Sequence, residues 1–185
     1  MLKLYGGKQS RASIVRWYLE ELGTPYEFIL LDMAAGEQRQ PEFLALNPFG
    51  KVPVIADGEL TLSESVAILL YLAEKQGKLA SNLEGRSKVA QWILFANSTL
   101  AYGIILEASR DTEIPRLVAP IDAMLQQRPW LWGEELSVVD IAVGSILFYA
   151  AQLYQLDFSN YPAVMEYIQR IGQRPAFQKT IGGRG

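Results

Sequence analysis

The sequence predicts an α/β unit followed by an all-helical one, and three observations carry that prediction. Residues 2–31 read strand, helix, strand, with a glycine closing the helix and a proline opening the second strand. A hairpin signal, Asp57-Gly58, then lies between two short strands and runs directly into an amphipathic helix. From Arg86 onward the periodicity is helical throughout, with no further strand pattern.

Taken in order, residues 2–5 alternate as a short strand, and Gly6-Gly7-Lys8-Gln9-Ser10 is a loop. Residues 11–22 form a helix whose inward stripe is Ala12, Val15, Leu19 and Leu22, ended by Gly23. Residues 26–31 follow Pro25 as a second strand, apolar enough to be expected at the centre of the sheet. A strand-helix-strand unit of this length favours a right-handed parallel crossover. Residues 34–41 are polar and loop-like, and 41–46 suggest a short helix. The hairpin strands are residues 54–56 and 59–62, joined by an expected type I′ turn, with Ser63-Glu64-Ser65 starting the next helix. Its apolar spacing is Val66, Leu69, Leu70 and Ala73. The order βαβ-ββα is a thioredoxin-like arrangement, assigned to residues 1–77.

Residues 78–85 carry no periodic pattern and read as a linker to a helical domain over 86–185. There, Val89, Trp92, Ile93, Ala96 and Leu100 stripe one long helix, expected to reach about Ser109. A second helix is expected from Pro115, since proline suits a first turn, to near Arg128-Pro129. Trp130-Leu131-Trp132-Gly133 reads as an aromatic turn engaged in packing. Ser137 and Asp140 have capping-box spacing at the head of a buried helix, with Leu136 and Ile141 as an accompanying staple. Pro162 opens a last helix ending near Gly172, and the tail past Pro175 is expected to be loosely held.

Composition narrows the function. The net charge of −3 and the lack of a basic block argue against a nucleic-acid partner. No apolar run approaches the ~20 residues a membrane-spanning helix needs, and no charged-then-apolar leader opens the chain. A cytoplasmic location without a membrane partner is expected. Cysteine and histidine both number zero. Without them the usual zinc sites, a Ser-His-Asp triad and a protein thiol nucleophile cannot be built, so no metal is expected. Any thiol chemistry must come from the ligand.

One stretch concentrates the functional signal. A turn at Asn47, Pro48 and Gly50 leads through Lys51 to Val52-Pro53, where proline marks a strand edge or a cis bond. The backbone of Val52 can then pair with an extended peptide, and the helix N-terminus at Glu64-Ser65 can hold an anion. Together these make a socket for a small acidic peptide. This run resembles the glutathione-binding segment of the cytosolic glutathione transferases. There, a valine before a cis-proline pairs with the cysteinyl unit, and a Glu/Gln-Ser pair takes the γ-glutamyl end.

The resemblance implies glutathione as co-substrate, with Lys51, Val52, Pro53, Glu64 and Ser65 in its binding. It implies Gln38 and Arg39 at the glycyl carboxylate. The missing cysteine excludes the cysteine-type branches and leaves two hydroxyls for the thiolate. Tyr5, spaced from Arg11 and then Arg16-Trp17, resembles the tyrosine types. Ser10, at the opening of the first helix, resembles the serine types and is slightly preferred. Arg11 is expected as electrostatic support. Family layout also implies an electrophile pocket between the Gly6–Gln9 loop and the long helix near Asn97, Ala101 and Tyr102. The short helical domain and missing His and Cys resemble the cyanobacterial chi-class enzymes. The expected partners are glutathione and small hydrophobic electrophiles, in a detoxifying homodimer. The alternative is a non-catalytic, transferase-like binding or regulatory module. A zeta-type isomerase is disfavoured, since Gln9-Ser10-Arg11 stands where that type has Ser-Ser-Cys.

Overall fold

The computed structural model describes residues 1–183 and divides into two compact units, residues 1–76 with the tail from Ala176, and residues 77–175. The first unit holds β1 (Leu2–Gly6), α1 (Ala12–Glu21), β2 (Tyr26–Leu30), α2 (Pro41–Leu44), β3 (Val54–Asp57), β4 (Leu60–Ser63) and α3 (Ser65–Lys75). A 3₁₀ turn at Glu37–Arg39 precedes α2. The sheet order is β2-β1-β3-β4, with β1 parallel to β2 and the remaining pairs antiparallel. This is the thioredoxin-like arrangement predicted from the sequence.

The second strand is not central. β1 and β3 are the inner strands, and β2 forms an edge in which only half-buried and exposed positions occur. Its apolar run was misleading because Phe28 is covered from outside, by the Arg16 guanidinium stacked 4.4 Å above its ring. The hairpin turn also differs from the type I′ expectation. Asp57 pairs with Leu60, so Gly58 and Glu59 form the two-residue loop, and Gly58 takes the positive φ of 64°. Glycine at the first of two loop positions is the type II′ pattern, which matches the right-handed twist of the strands equally well.

α1 is enclosed on most sides rather than along one stripe, with Ile14, Trp17 and Tyr18 buried beside Ala12, Val15 and Leu19. The buried face of α3 is Ile68, Leu69, Leu72 and Ala73, while Val66 and Leu70 lie only half-buried. The tail is ordered, contrary to expectation. Helix α9 (Pro175–Phe177) and a π-helical turn, Gln178–Gly182, follow the last long helix. Phe177 is fully enclosed, its ring meeting Trp17 edge-on at 5.0 Å and 89°. Lys179 adds an ion pair to Glu20 at 3.5 Å. A tail carrying Phe177, Thr180 and Ile181 completes the packing on α1, which is why it belongs to the first unit.

In the second unit, α4 (Leu83–Leu94) begins inside the expected linker, capped by Asn82 Oδ1 accepting from the Gly85 N–H at 2.9 Å. The long helix does not run unbroken to Ser109. It passes through a π-helical segment, Phe95–Leu100, into α5 (Ala101–Ile105) and breaks at Leu106, which is extended. Helix α6 (Glu107–Leu125) starts at once and carries Pro115 and Pro120 inside it. The first proline therefore does not open the helix, though each removes one N–H from the ladder.

Helix α7 (Val138–Gln152) is the core of this unit, with Val138 to Leu147 buried on every side. Its capping box is formed as the sequence indicates. Helix α8 (Pro162–Gly172) receives its cap from another helix, since Asp122 Oδ1 on α6 accepts from the Val164 N–H at 3.0 Å. The aromatic turn packs as expected: Trp130 is buried, 6.0 Å from the Tyr167 ring, with Arg170 stacked on it at 5.7 Å.

Candidate active site at the end of the sheet

The sheet register brings the predicted residues to one end of the first unit. Tyr5 pairs with Ile29 on one side and Val54 on the other, and Val54 pairs with Ser63. One step beyond this row lie Gly6, Pro53 and Glu64. The loop to α1, the Val52-Pro53 turn and the start of α3 therefore emerge together.

The Val52-Pro53 bond is cis. Among the described residues, neither backbone group of the half-buried Val52 has a hydrogen-bond partner. The turn before it is held by Asn47, which is buried. Asn47 Nδ2 donates to the Lys51 carbonyl at 2.8 Å, and Oδ1 accepts from the Phe49 N–H at 3.2 Å. Its own carbonyl accepts from the Gly50 N–H at 3.0 Å. A single amide thus fixes both ends of the segment that presents Val52.

Glu64 stands at the N-cap of α3 with φ 67° and ψ 114°, a conformation that costs a non-glycine residue of order 1–3 kcal/mol. Its side chain does not cap the helix and is exposed, whereas Ser65 is buried at the first helical position. The first-turn N–H groups of an eleven-residue helix therefore face this end of the sheet.

Ser10 lies in the turn just before α1. Its Oγ accepts from the Gly7 N–H at 3.1 Å and the Ala12 N–H at 3.3 Å, and donates to the Gly7 carbonyl at 3.0 Å. Two N–H groups on its oxygen polarise the hydroxyl and strengthen it as a donor. Tyr5 is half-buried, its ring edge-on to Phe43 of α2 at 5.9 Å. Arg11 is exposed at the α1 N-cap. Arg16 and Trp17 are engaged elsewhere, Arg16 on Phe28 and Trp17 Nε1 donating to Glu21 at 2.8 Å.

A cleft of about 420 Å³ borders Val52, lined by Lys51, Gly50, Arg39, Gln38, Met33 and Phe49 among others. Gln38 is buried, and its Oε1 has no partner while Nε2 makes only a 3.5 Å contact to the Met33 carbonyl. A buried acceptor left open in this way points to a donor that a ligand supplies. Lys51 and Arg39 are exposed at the same cleft. The sequence reading missed Met33 and Asn47 as parts of this arrangement. The turn chemistry of Asn47 was visible, but its 2.8 Å reach to Lys51 was not.

The residues expected at the electrophile lie in the second unit. Asn97 is half-buried in the π-helical segment, Ala101 is buried at the head of α5, and Tyr102 is 63% exposed. Among the described residues no group of His, Cys, Asp and Glu can hold a metal ion, and no helix is long and apolar enough to cross a membrane.

The fold and this end-of-sheet arrangement define a protein of the glutathione transferase class. Residues 1–74 match the family model of the glutathione S-transferase N-terminal domain, and residues 105–175 that of the C-terminal domain. The disulfide-bond oxidoreductase YfcG of Escherichia coli is 34% identical, over 98% of this chain and 94% of its own length. Glutathione S-transferase GstB of the same organism is 32% identical over 98% of both. A Pseudomonas fluorescens glutathione transferase family member, solved with two glutathione molecules bound, superposes with a TM-score of 0.84 at 28% identity. That match covers 96% of this chain and 91% of the other. The chain belongs to the glutathione S-transferase family.

Proposed function

We propose that this protein binds glutathione at the end of the sheet and conjugates its thiolate to small hydrophobic electrophiles, as a cytoplasmic detoxifying homodimer. The carrying observation is the unpaired backbone of Val52 beside the cis-proline. An extended cysteinyl unit adds there as a short antiparallel strand would. The γ-glutamyl carboxylate falls to the N-terminus of α3, with Ser65 and the strained Glu64 as its partners. The glycyl end lies over the cleft of Lys51, Arg39 and Gln38, where the open Gln38 Oε1 accepts the glycyl N–H and the cations take the carboxylate.

A free thiol titrates near pH 8.5, so lowering it by about two units requires ~2.7 kcal/mol of preference for the thiolate. Ser10 supplies that preference by turning its hydroxyl from the Gly7 carbonyl to the sulfur, with Arg11 and the start of α1 adding positive potential. The thiolate attacks the electrophilic carbon, the carbon–sulfur bond forms, and the leaving group departs with its bonding pair. The thiol proton goes to solvent. Family resemblance assigns Asn97, Ala101 and Tyr102 to the electrophile.

A second reading has one observation behind it: a relative at 34% identity is a disulfide-bond oxidoreductase. With no cysteine in the chain, glutathione itself would attack the disulfide. One glutathione thiolate displaces a thiol and forms a mixed disulfide. A second releases the other thiol and leaves as glutathione disulfide. Calorimetric titration with glutathione, followed by assays with 1-chloro-2,4-dinitrobenzene and with 2-hydroxyethyl disulfide, separates the readings. Absence of glutathione binding defeats both.

A further inference from the structure

We propose that Met33 is an oxidation site, where a peroxide turns the thioether into a sulfoxide and thereby weakens glutathione binding. This rests on the glutathione reading above and adds regulation to that site. The chain holds four methionines and no cysteine, so all of its sulfur is thioether. A thioether is the sulfur group that a peroxide oxidises one step and a reductase restores. Met33 is 36% exposed, open to a small oxidant, and Met1, Met124 and Met165 are at least as exposed. Exposure therefore does not single out Met33. Its place does.

Met33 lines the cleft of Gln38, Arg39, Lys51 and Val52, and it packs on the turn that the Ser10 hydroxyl closes onto Gly7. A Cβ built on Gly7 would stand 2.5 Å from Met33 Cγ and 3.3 Å from Sδ. The sulfur thus lies against the turn, with no room on that side for another atom. The backbone around it is held as well. Asp32 Oδ1 accepts from the Ala34 and Ala35 N–H groups, both at 2.9 Å, and Glu37 Oε2 accepts from the Asp32 N–H at 2.7 Å. An atom added to the sulfur must be absorbed by the turn or by the cleft.

In the oxidation a sulfur lone pair attacks one peroxide oxygen. The S–O bond forms as the O–O bond breaks, and water leaves, or an alcohol where the oxidant is an alkyl hydroperoxide. The new oxygen has two places to go. Toward Gly7 it collides with the turn and displaces the side chain, which loosens the segment that holds Ser10. Toward the cleft it is a polar acceptor beside Arg39 and Lys51, and it competes for the cations proposed for the glycyl carboxylate. Either way glutathione is held less tightly. Met124 and Met165 belong to α6 and α8 of the second unit and touch neither the turn nor this cleft's lining.

The test treats the protein with hydrogen peroxide, removes the excess with catalase, and reads the sulfoxide at each methionine by peptide mass spectrometry. Calorimetric affinity for glutathione should fall by about tenfold, the factor for losing one hydrogen bond to a charged group. The fall should track the sulfoxide at Met33, and methionine sulfoxide reductases A and B with dithiothreitol should reverse it. Met33→Leu, compared with its own untreated affinity, should lose nothing under peroxide, whereas Met165→Leu should lose as much as the parent. If Met33 is oxidised and the affinity holds, or if Met33→Leu loses affinity as the parent does, this inference falls and the glutathione reading stands. If the untreated parent does not bind glutathione, both fall.

Discussion

The Asn47 side-chain amide donates to the Lys51 carbonyl at 2.8 Å, across the turn that delivers Val52 to the sheet end. No part of Asn47 is exposed enough to serve a ligand, so its contribution is to hold a backbone in place. Asn47→Ala removes this bond and the one Oδ1 accepts from Phe49, at a cost of about 1–3 kcal/mol in stability. The KM for glutathione should rise while kcat at saturation changes little. Equal losses in both would mean that Asn47 acts on the thiolate rather than on binding.

Phe177→Ala tests whether the tail supports α1. A fully enclosed aromatic ring meeting Trp17 at 5.0 Å should cost about 3–5 kcal/mol when truncated. Thermal unfolding should fall by many degrees, with Phe177→Leu recovering much of the loss. An unchanged melting temperature would return the tail to the loosely held state that its sequence suggested.

These two residues mark where the sequence was legible and where it was not. Strand-helix-strand order, the hairpin into α3, the cis-proline and the capping box at Ser137 all follow from local chemistry, and local chemistry is what a sequence displays. The tail was not legible because Phe177 is apolar only in isolation; its partner Trp17 lies 160 positions earlier in number. The position of β2 failed for a related reason, since Arg16 covers Phe28 where a second strand was inferred. Pro115 and Pro120 failed because a proline's tolerance within α6 depends on its neighbours, which propensity alone does not include. At the site, the register that aligns Tyr5, Val54 and Ser63 explains why residues far apart in the chain converge.

Asp140 gives a pH dependence. Its carboxylate accepts from the Leu131 N–H at 2.8 Å, the Ser137 N–H at 2.9 Å and hydroxyl at 2.8 Å, and the Tyr167 hydroxyl at 3.0 Å. Burial nevertheless outweighs these donors and pushes its pKa above the ordinary carboxylate value. The folded state therefore binds this proton more tightly than the unfolded state. Its contribution to stability is full below the unfolded pKa, near 4, and declines as pH rises through the folded value. Asp140→Asn should destabilise the protein at neutral pH, since an NH2 group replaces an acceptor that faces donors. It should also flatten this limb of the stability curve measured by urea unfolding. A limb unchanged by the substitution would assign it to another group.

Phe49, 79% exposed at the rim of the Val52 cleft, is the candidate anchor for the expected homodimer. Phe49→Ser should shift sedimentation toward the 20.7 kDa monomer at micromolar concentration. A parent protein that already sediments as a monomer would refute the dimer.

The thiolate donor is decided by two substitutions read together. Ser10 Oγ accepts two N–H bonds and holds its proton toward Gly7, so as the donor it would need one rotation of its hydroxyl. Tyr5 sits on an inner strand beside Val54, with its ring against Phe43, so packing fixes the direction of its hydroxyl. With Ser10 as donor, Ser10→Ala should raise the pKa of bound glutathione and cut turnover by about 10²–10³, with little change in glutathione affinity. Tyr5→Phe, which keeps the ring and removes only the hydroxyl, should then be mild. With Tyr5 as donor the two results exchange. The ultraviolet absorbance of bound thiolate, titrated against pH for both variants, reads the shift directly and independently of any electrophile. If neither substitution moves the titration, the positive potential at the start of α1, with Arg11 on it, is what holds the thiolate, and Arg11→Ala should then move it.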